Sequence, residues 1–341
     1  MTPRRTPRRR SIAALSVLVL AVGCARLPSH LVVPSLGIDE PAWRATAEVS
    51  ASSPIVPGNA VAILRDGIEI FPAILTAIRS ARRTITYEQF VYKDGSISRV
   101  LAEAFAERCR AGVAVHILID GFGVRWLPAE HRELLEAAGC QFAVFRPLTL
   151  GYLLKMNYRT HRRILVVDGA VGFTGGSGVG AQWLGAEGPH RWREIDVRVE
   201  GPVVRWLQGA FAEHWLEATG TLLAGEDYYP SLAPAGTVDA QVVHSSPSRG
   251  NTAIYTLYLL AIGGARQSIR ITNQYLVLDD RMAVALIAAV RRGVEVDIIV
   301  PAIPTNILVF AAGRARLDRL LRGGVRVHAY EARLLHAKTM A

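Results

Sequence analysis

The chain has 341 residues, half of them hydrophobic and 20% charged, with a formal net charge of +10. That length and apolar content suit two ordinary folded domains and exclude a disordered chain. Five arginines (Arg4, Arg5, Arg8, Arg9 and Arg10) lie in the first ten residues, with no acidic residue before Asp39, leaving a body of about +5, which suits phosphate-rich partners, either nucleic acid or anionic lipid.

Residues 1–24 have the layout of a secretory signal, with a basic start, an apolar run from Ile12 to Val22, then Gly23 and Cys24. The run is too short to span a bilayer comfortably. Ala21-Val22-Gly23-Cys24 resembles the lipobox of bacterial lipoproteins, which makes Cys24 the expected lipidation site and the exported side of a bacterial membrane the expected location. An uncleaved anchor and twin-arginine export are the other readings of this stretch. Residues 25–55, with Pro28, Pro34, Pro41 and Pro54, read as a tether. Cys109 and Cys140 read as buried structural thiols, with a disulfide as the alternative in an oxidising compartment.

From residue 56 the pattern alternates. "PAILTAIRSAR" has helical spacing, "TITYEQFVY" alternates as a strand, "ISRVLAEAFAERCRAG" is an amphipathic helix and "VAVHILID" is a β-branched strand. This order predicts an α/β fold with a mostly parallel sheet covered by helices on its faces. It then returns: residues 77–90 match 261–275, 108–120 match 290–301, and 134–145 match 320–330. The chain therefore reads as a duplicated unit, with halves at 56–227 and 241–341 joined by a Pro- and Ala-rich linker at 228–240.

Each half carries a histidine at the start of its next apolar run, in "YRTHRRILVVDG" and "ARLLHAKTMA". His161 is followed two positions on by Arg163, and His336 by Lys338, a spacing that puts histidine and cation on one face of a strand. Duplicate histidines with duplicate cations point to one two-fold site between the halves.

These residues resemble the phospholipase D superfamily, whose pattern in each half is H-x-K-x4-D followed by a Gly-rich G-[GS]-x-N segment. His161, Arg163 and Asp168 fall on the first copy, and "TGGSG" at 174–178 on the Gly-rich segment. "WREIDVRVEGPVV", "FAEHWLEATGTLL", "LRDGIEIFPAILTAIRSARRTI" and "IDGFG" resemble the bacterial cardiolipin synthase branch. The resemblance implies a duplicated α/β/α sandwich whose halves share one active site. It also implies a phosphohistidine intermediate on one histidine, with the other acting as acid and then base, a division that imidazole chemistry permits at neutral pH. His161 is assigned as nucleophile and His336 as acid/base. Arg163 and Lys338 are expected to hold the phosphate oxygens, and Gly175, Gly176 and Ser177 to approach the same phosphate. Asp196 is expected either to orient His161 or to form a salt bridge with Arg198 or Arg193. Asp168 is either a turn residue or a support for the strand end. Glu88 and Gln274 are candidate pocket-lining residues, and His116, His131, His190, His244 and His328 read as structural. No metal or cofactor is required by this chemistry.

Three departures from the family pattern stand out. Arg163 replaces lysine, Gly178 stands where asparagine is usual, and the chain ends at Ala341, before the second motif's aspartate and Gly-rich segment, so the second half reads as incomplete. The leading functional expectation is a phosphatidyltransferase making cardiolipin from two phosphatidylglycerols at a membrane surface. The alternatives are a phospholipase D or phosphodiesterase acting by hydrolysis, and a degenerate phosphate-binding lipoprotein. A nuclease is disfavoured because aromatics are only 7% of the chain and are not interleaved with basic runs. "LGYLLKMNYR" reads as core packing, or as apolar groups exposed to lipid.

Overall fold

The structure, a computed structural model, describes residues 32–184, 191–245, 252–303, 306–314 and 317–341. The leader with Cys24, the start of the tether and His190 lie outside these residues. After a first helix, α1 (Pro41–Ala51), come strand β1 (Val56–Arg65), helix α2 (Asp66–Ser80), β2 (Thr84–Gln89), α3 (Ser96–Arg110), β3 (Ala114–Asp120), α4 (Ala129–Ala137) and β4 (Gln141–Phe145). The half continues with β5 (Ile164–Val167), β6 (Val171–Gly175), β7 (Trp192–Arg193), β8 (Ile195–Glu200), α5 (Val204–Thr219) and β9 (Val238–Ala240). The second half comprises α6 (Ala253–Gly264), β10 (Ser268–Thr272), α7 (Asp280–Arg291), β11 (Glu295–Pro301), α8 (Ile307–Arg314), α9 (Leu317–Arg322), β12 (Arg326–Tyr330), β13 (Leu334–Leu335) and β14 (Thr339–Met340).

The first sheet runs β4-β3-β2-β5-β6-β8-β1-β9, and the second β12-β11-β10-β14. In each, three parallel strands are followed by an antiparallel one, the strand that comes after the motif histidine. Every residue of β2 is buried, as a strand covered on both faces requires. One face packs Ile70, Ile78, Leu101 and Phe105 of α2 and α3, and the other packs Phe211 and Trp215 of α5. The second half has its own core around Leu286, Val296, Ile298 and Leu320. No helix among the described residues is long and apolar enough to cross a membrane.

Two segments differ from their sequence reading. Part of the stretch expected as a tether is the folded helix α1, whose Trp43 indole reaches the Leu260 carbonyl at 3.4 Å while Arg44 pairs with Asp239 at 2.6 Å. Within the expected linker, β9 adds to the edge of the first sheet beside β1. Of the two readings of the cysteines, buried structural thiols or a disulfide, the second holds: Cys109 at the end of α3 is disulfide-bonded to Cys140 before β4, their Cα atoms 5.5 Å apart. The sequence separation of 31 residues gives a loop whose closure is worth about 3–4 kcal/mol on the chain-entropy account. The Cys109→Ala/Cys140→Ala variant, and reduced wild type, are therefore expected to melt several degrees lower; equal melting temperatures would show that the bond contributes nothing.

Candidate active site

The registers Glu88↔Ile164 and Thr272↔Thr339 place the two motif histidines alike, each three positions before its paired strand residue at the carboxyl end of β2 or β10. Open α/β sheets gather their ligands at that edge. The segment entering His161 is pinned from below. The Thr160 hydroxyl donates to buried Glu88 at 2.6 Å and its N–H to buried Asp120 at 2.9 Å, while His214 Nδ1–H donates to Glu88 at 2.7 Å. The His161 ring stacks on Phe90 with centroids 3.9 Å apart, and Arg163 donates to the His161 carbonyl at 2.6 Å.

His336 belongs to the second half but is held by the first. Its Nδ1–H donates to Glu194, which is fully buried, and its ring stacks on Trp192 at 4.8 Å with Trp183 edge-on at 5.7 Å. The backbone N–H groups of His336 and Ala337 both donate to the Arg193 carbonyl. Strand β13 pairs with β7 just before this point, and Arg333 and Arg193 both reach Asp66, at 3.0 and 2.7 Å. The carboxylate on Nδ1 fixes the tautomer and leaves Nε2 as the working nitrogen.

The four motif side chains act on one another electrostatically. Desolvation where the ring packs, then the charges of Arg163, Lys338 and His336, pull His161 down to about 4, so it is neutral at pH 7. Desolvation lowers Lys338 to about 8, with Arg163 pushing the same way and Glu194 and Asp196 opposing. Burial also lowers Arg163 and His336, the latter against the support of Glu194. Two cations beside two imidazoles, with the Glu194 carboxylate behind His336 on the side away from its Nε2, form a site arranged for an anionic ligand. His161 also opens onto a groove of about 720 Å³ whose lining includes Arg159, Arg162, Ile164 and Leu207, cationic and apolar together.

Several candidate residues do other work. Asp168, at the far end of β5 with φ of 51°, accepts the backbone N–H groups of Arg82, Arg83 and Thr84 at 2.9, 2.7 and 2.9 Å, so it caps the start of β2 and stands away from the histidines. Asp196 neither orients His161 nor pairs with Arg198 or Arg193; it binds the Ser177 N–H at 3.0 Å and the Ser177 hydroxyl at 2.5 Å. Burial raises it to about 6 despite those bonds. Ser177 is thereby committed to a neighbour rather than to an incoming phosphate. Gly175 and Gly176 are glycines because a Cβ would fall 2.1 Å from the Asp196 carboxylate and 2.3 Å from that of Glu194. Gly178 has a similar reason: a Cβ there would meet the Trp183 ring at 2.6 Å, and that indole donates to Glu194 at 3.3 Å. Glu88 lies beneath the site rather than lining it. Gln274 lines a separate apolar cavity in the second half.

Glu194, Thr160 and Asp66 were not singled out in the sequence. The available signal was alternation: Trp192, Glu194 and Asp196 share a period of two in "WREID", so the acid that holds His336 and the one that holds Ser177 are same-face neighbours. Among the described residues, no group of three or more His, Cys, Asp or Glu side chains is placed to hold a metal ion.

Residues 258–341 match the family described as "Cardiolipin synthase, PLD-like domain". The chain is 36% identical over 290 residues to cardiolipin synthase A of Pseudomonas syringae pv. syringae (strain B728a), covering 84% of this chain and 60% of that protein. It is 32% identical over 291 residues to cardiolipin synthase of Geobacillus kaustophilus (strain HTA426), covering 84% and 58%. The chain thus spans about three fifths of the length of these curated relatives. In fold it is similar to a phosphatidylserine synthase from Haemophilus influenzae Rd KW20, with a TM-score of 0.61 at 12% identity over 88% of this chain and 80% of that one.

Proposed function

We propose that the chain is a phosphatidyltransferase of the phospholipase D superfamily, on the side of the bacterial cardiolipin synthases it is similar to, joining two phosphatidylglycerols into cardiolipin with release of glycerol. The observation that carries this reading is the meeting of His161, Arg163, His336 and Lys338 at one edge, with His336 held by Glu194 of the other half.

In the first step the neutral His161 imidazole attacks phosphorus, the bond from phosphorus to the glycerol oxygen breaks, and His336 gives that oxygen its proton. The arriving phosphodiester anion, together with Glu194, favours the charged form of His336 that the empty site disfavours, so substrate binding recruits the proton it needs. In the second step the glycerol hydroxyl of another phosphatidylglycerol gives its proton to His336 and attacks phosphorus, and the phosphorus–nitrogen bond breaks. Arg163 and Lys338 balance the charge on the non-bridging oxygens throughout. The cationic and apolar groove beside His161 suits a phospholipid bearing both a charged head and acyl chains.

The working place of the reading is the exported side of a bacterial membrane, with Cys24 as lipid anchor; the Cys109–Cys140 bond suits an oxidising compartment. The test incubates purified protein with phosphatidylglycerol vesicles and resolves the lipids by mass spectrometry. Cardiolipin plus glycerol is expected. Phosphatidic acid alone would replace transfer by hydrolysis, and no product would overturn the reading in favour of a binding role.

A further inference from the structure

The loops that follow β2, β3 and β4 leave the sheet at the same edge as His161, and two glycines let them pack together. A Cβ on Gly121 would fall 2.3 Å from the Arg146 carbonyl oxygen, and one on Gly123 would fall 1.5 Å from that of Phe90. This close approach assembles an aromatic ladder from separate segments. His161 stacks on Phe90 at 3.9 Å, Phe90 is parallel to Phe122 at 6.3 Å, and Phe122 meets Trp126 edge-on at 5.2 Å. The ladder runs from the proposed nucleophile outward, and Phe122 and Trp126 are each 38% exposed at its end. Two cations lie on it: the Arg125 guanidinium is 3.9 Å from the Phe122 ring centre, and the Lys93 ammonium 5.5 Å from that of Trp126.

We propose that this ladder, with Lys93 and Arg125, is the element that seats the protein on an anionic phospholipid surface, in the orientation that turns His161 toward the lipid headgroups. The choice of partner rests on the phospholipid reading given above. Aromatic side chains with an amphipathic edge settle at the headgroup layer, and basic side chains near an anionic surface contribute about 1 kcal/mol each. The next loop adds aliphatic exposure, with Leu150 89% exposed and Leu148 and Met156 beside it in sequence. The corresponding edge of the second half presents Ile307 and Leu308, 74% and 78% exposed, after β11. Aliphatic groups of this kind enter hydrocarbon and do not stack on bases.

Single-stranded nucleic acid is the competing partner for aromatic rings beside basic groups. The ladder fits it less well because its ring faces are already occupied: Phe90 lies between His161 and Phe122, and Phe122 is capped by Arg125. A base would have to displace one of these, whereas a membrane needs only the exposed edges and the indole.

Trp126 reports on its own seating. The full chain is mixed with vesicles of phosphatidylglycerol or of phosphatidylcholine containing brominated acyl chains, and its emission is compared with that of Trp126→Phe. Bromolipid quenching confined to the Trp126 component, and stronger on phosphatidylglycerol, is the expected result. In Lys93→Gln/Arg125→Gln the quenching on phosphatidylglycerol is expected to fall toward the phosphatidylcholine level. Equal quenching in wild type and Trp126→Phe would overturn the proposal, as would quenching of Trp126 by an oligothymidylate but not by lipid. Because no turnover is involved, a protein that seats by Trp126 yet makes no cardiolipin overturns the function above and leaves the docking element standing.

Discussion

His336→Asn is expected to lose roughly two to four orders of magnitude in turnover of phosphatidylglycerol, the usual worth of a general acid–base group, while keeping most of its first-step rate on a phosphatidyl ester of p-nitrophenol. The glycerol oxygen leaves as a strongly basic alkoxide unless it is protonated, so the reaction needs an acid; nitrophenolate leaves without one. His161→Ala is expected to lose both reactions, because no leaving group compensates for a missing nucleophile. The measurement is nitrophenolate release followed by mass spectrometry of protein denatured at neutral to mildly alkaline pH, where a phosphorus–nitrogen bond to histidine survives. A phosphatidyl adduct on a peptide containing His161 should build up in His336→Asn, since the base that activates the acceptor hydroxyl is missing in the second step. An adduct on His336 in the His161→Ala protein would reverse the assigned roles.

The same pair of variants separates chemistry from folding. Both histidines sit in packed surroundings, His161 on Phe90 and His336 on Trp192. A variant that had merely unfolded would turn over neither substrate, so retention of nitrophenolate release from the aryl ester in His336→Asn shows an intact site.

The duplicated order of strands was legible because it rests on local periodicity, and the two His-x-cation pairs because they recur at equivalent points of that order. What stayed hidden was made by contacts between distant segments. Glu194 acts on His336 across 142 positions of sequence, and nothing local in "WREID" distinguishes it from Asp196. Asp168 looked like part of the site because it shares a short motif with His161, yet β5 carries the two to opposite ends of one strand. The glycines of "TGGSG" read as a phosphate cradle, whereas the space they leave is filled by two carboxylates. Aromatic content of 7% argued against a base-stacking groove and pointed to no particular aromatic cluster; Phe90, Phe122 and Trp126 become neighbours only when Gly121 and Gly123 let three loops close on one another. The cysteine pairing was undecided for a related reason, since only the fold brings the end of α3 and the residue before β4 to a Cα separation of 5.5 Å.

With the aryl ester as substrate, activity is expected to fall on the alkaline side with a midpoint near pH 8, and Lys338→Arg is expected to remove that fall. The sign follows from which form works. Desolvation lowers Lys338 to about 8, so below that pH it carries the charge that balances the phosphate oxygens, and above it the charge is lost. A guanidinium keeps its charge at any pH the lipid assay tolerates, and Arg163 already performs the equivalent task in the first half. The aryl leaving group removes the need for His336 as acid, so its deprotonation does not mask the Lys338 limb. On the acid side the rate should fall with a midpoint near pH 4, as His161 protonates and its lone pair is lost to the attack. The expected profile is therefore broad on the acid side and limited near 8 on the other. An alkaline limb that is unchanged in Lys338→Arg would show that some other group sets it, and that the second cation of the pair does not hold phosphate.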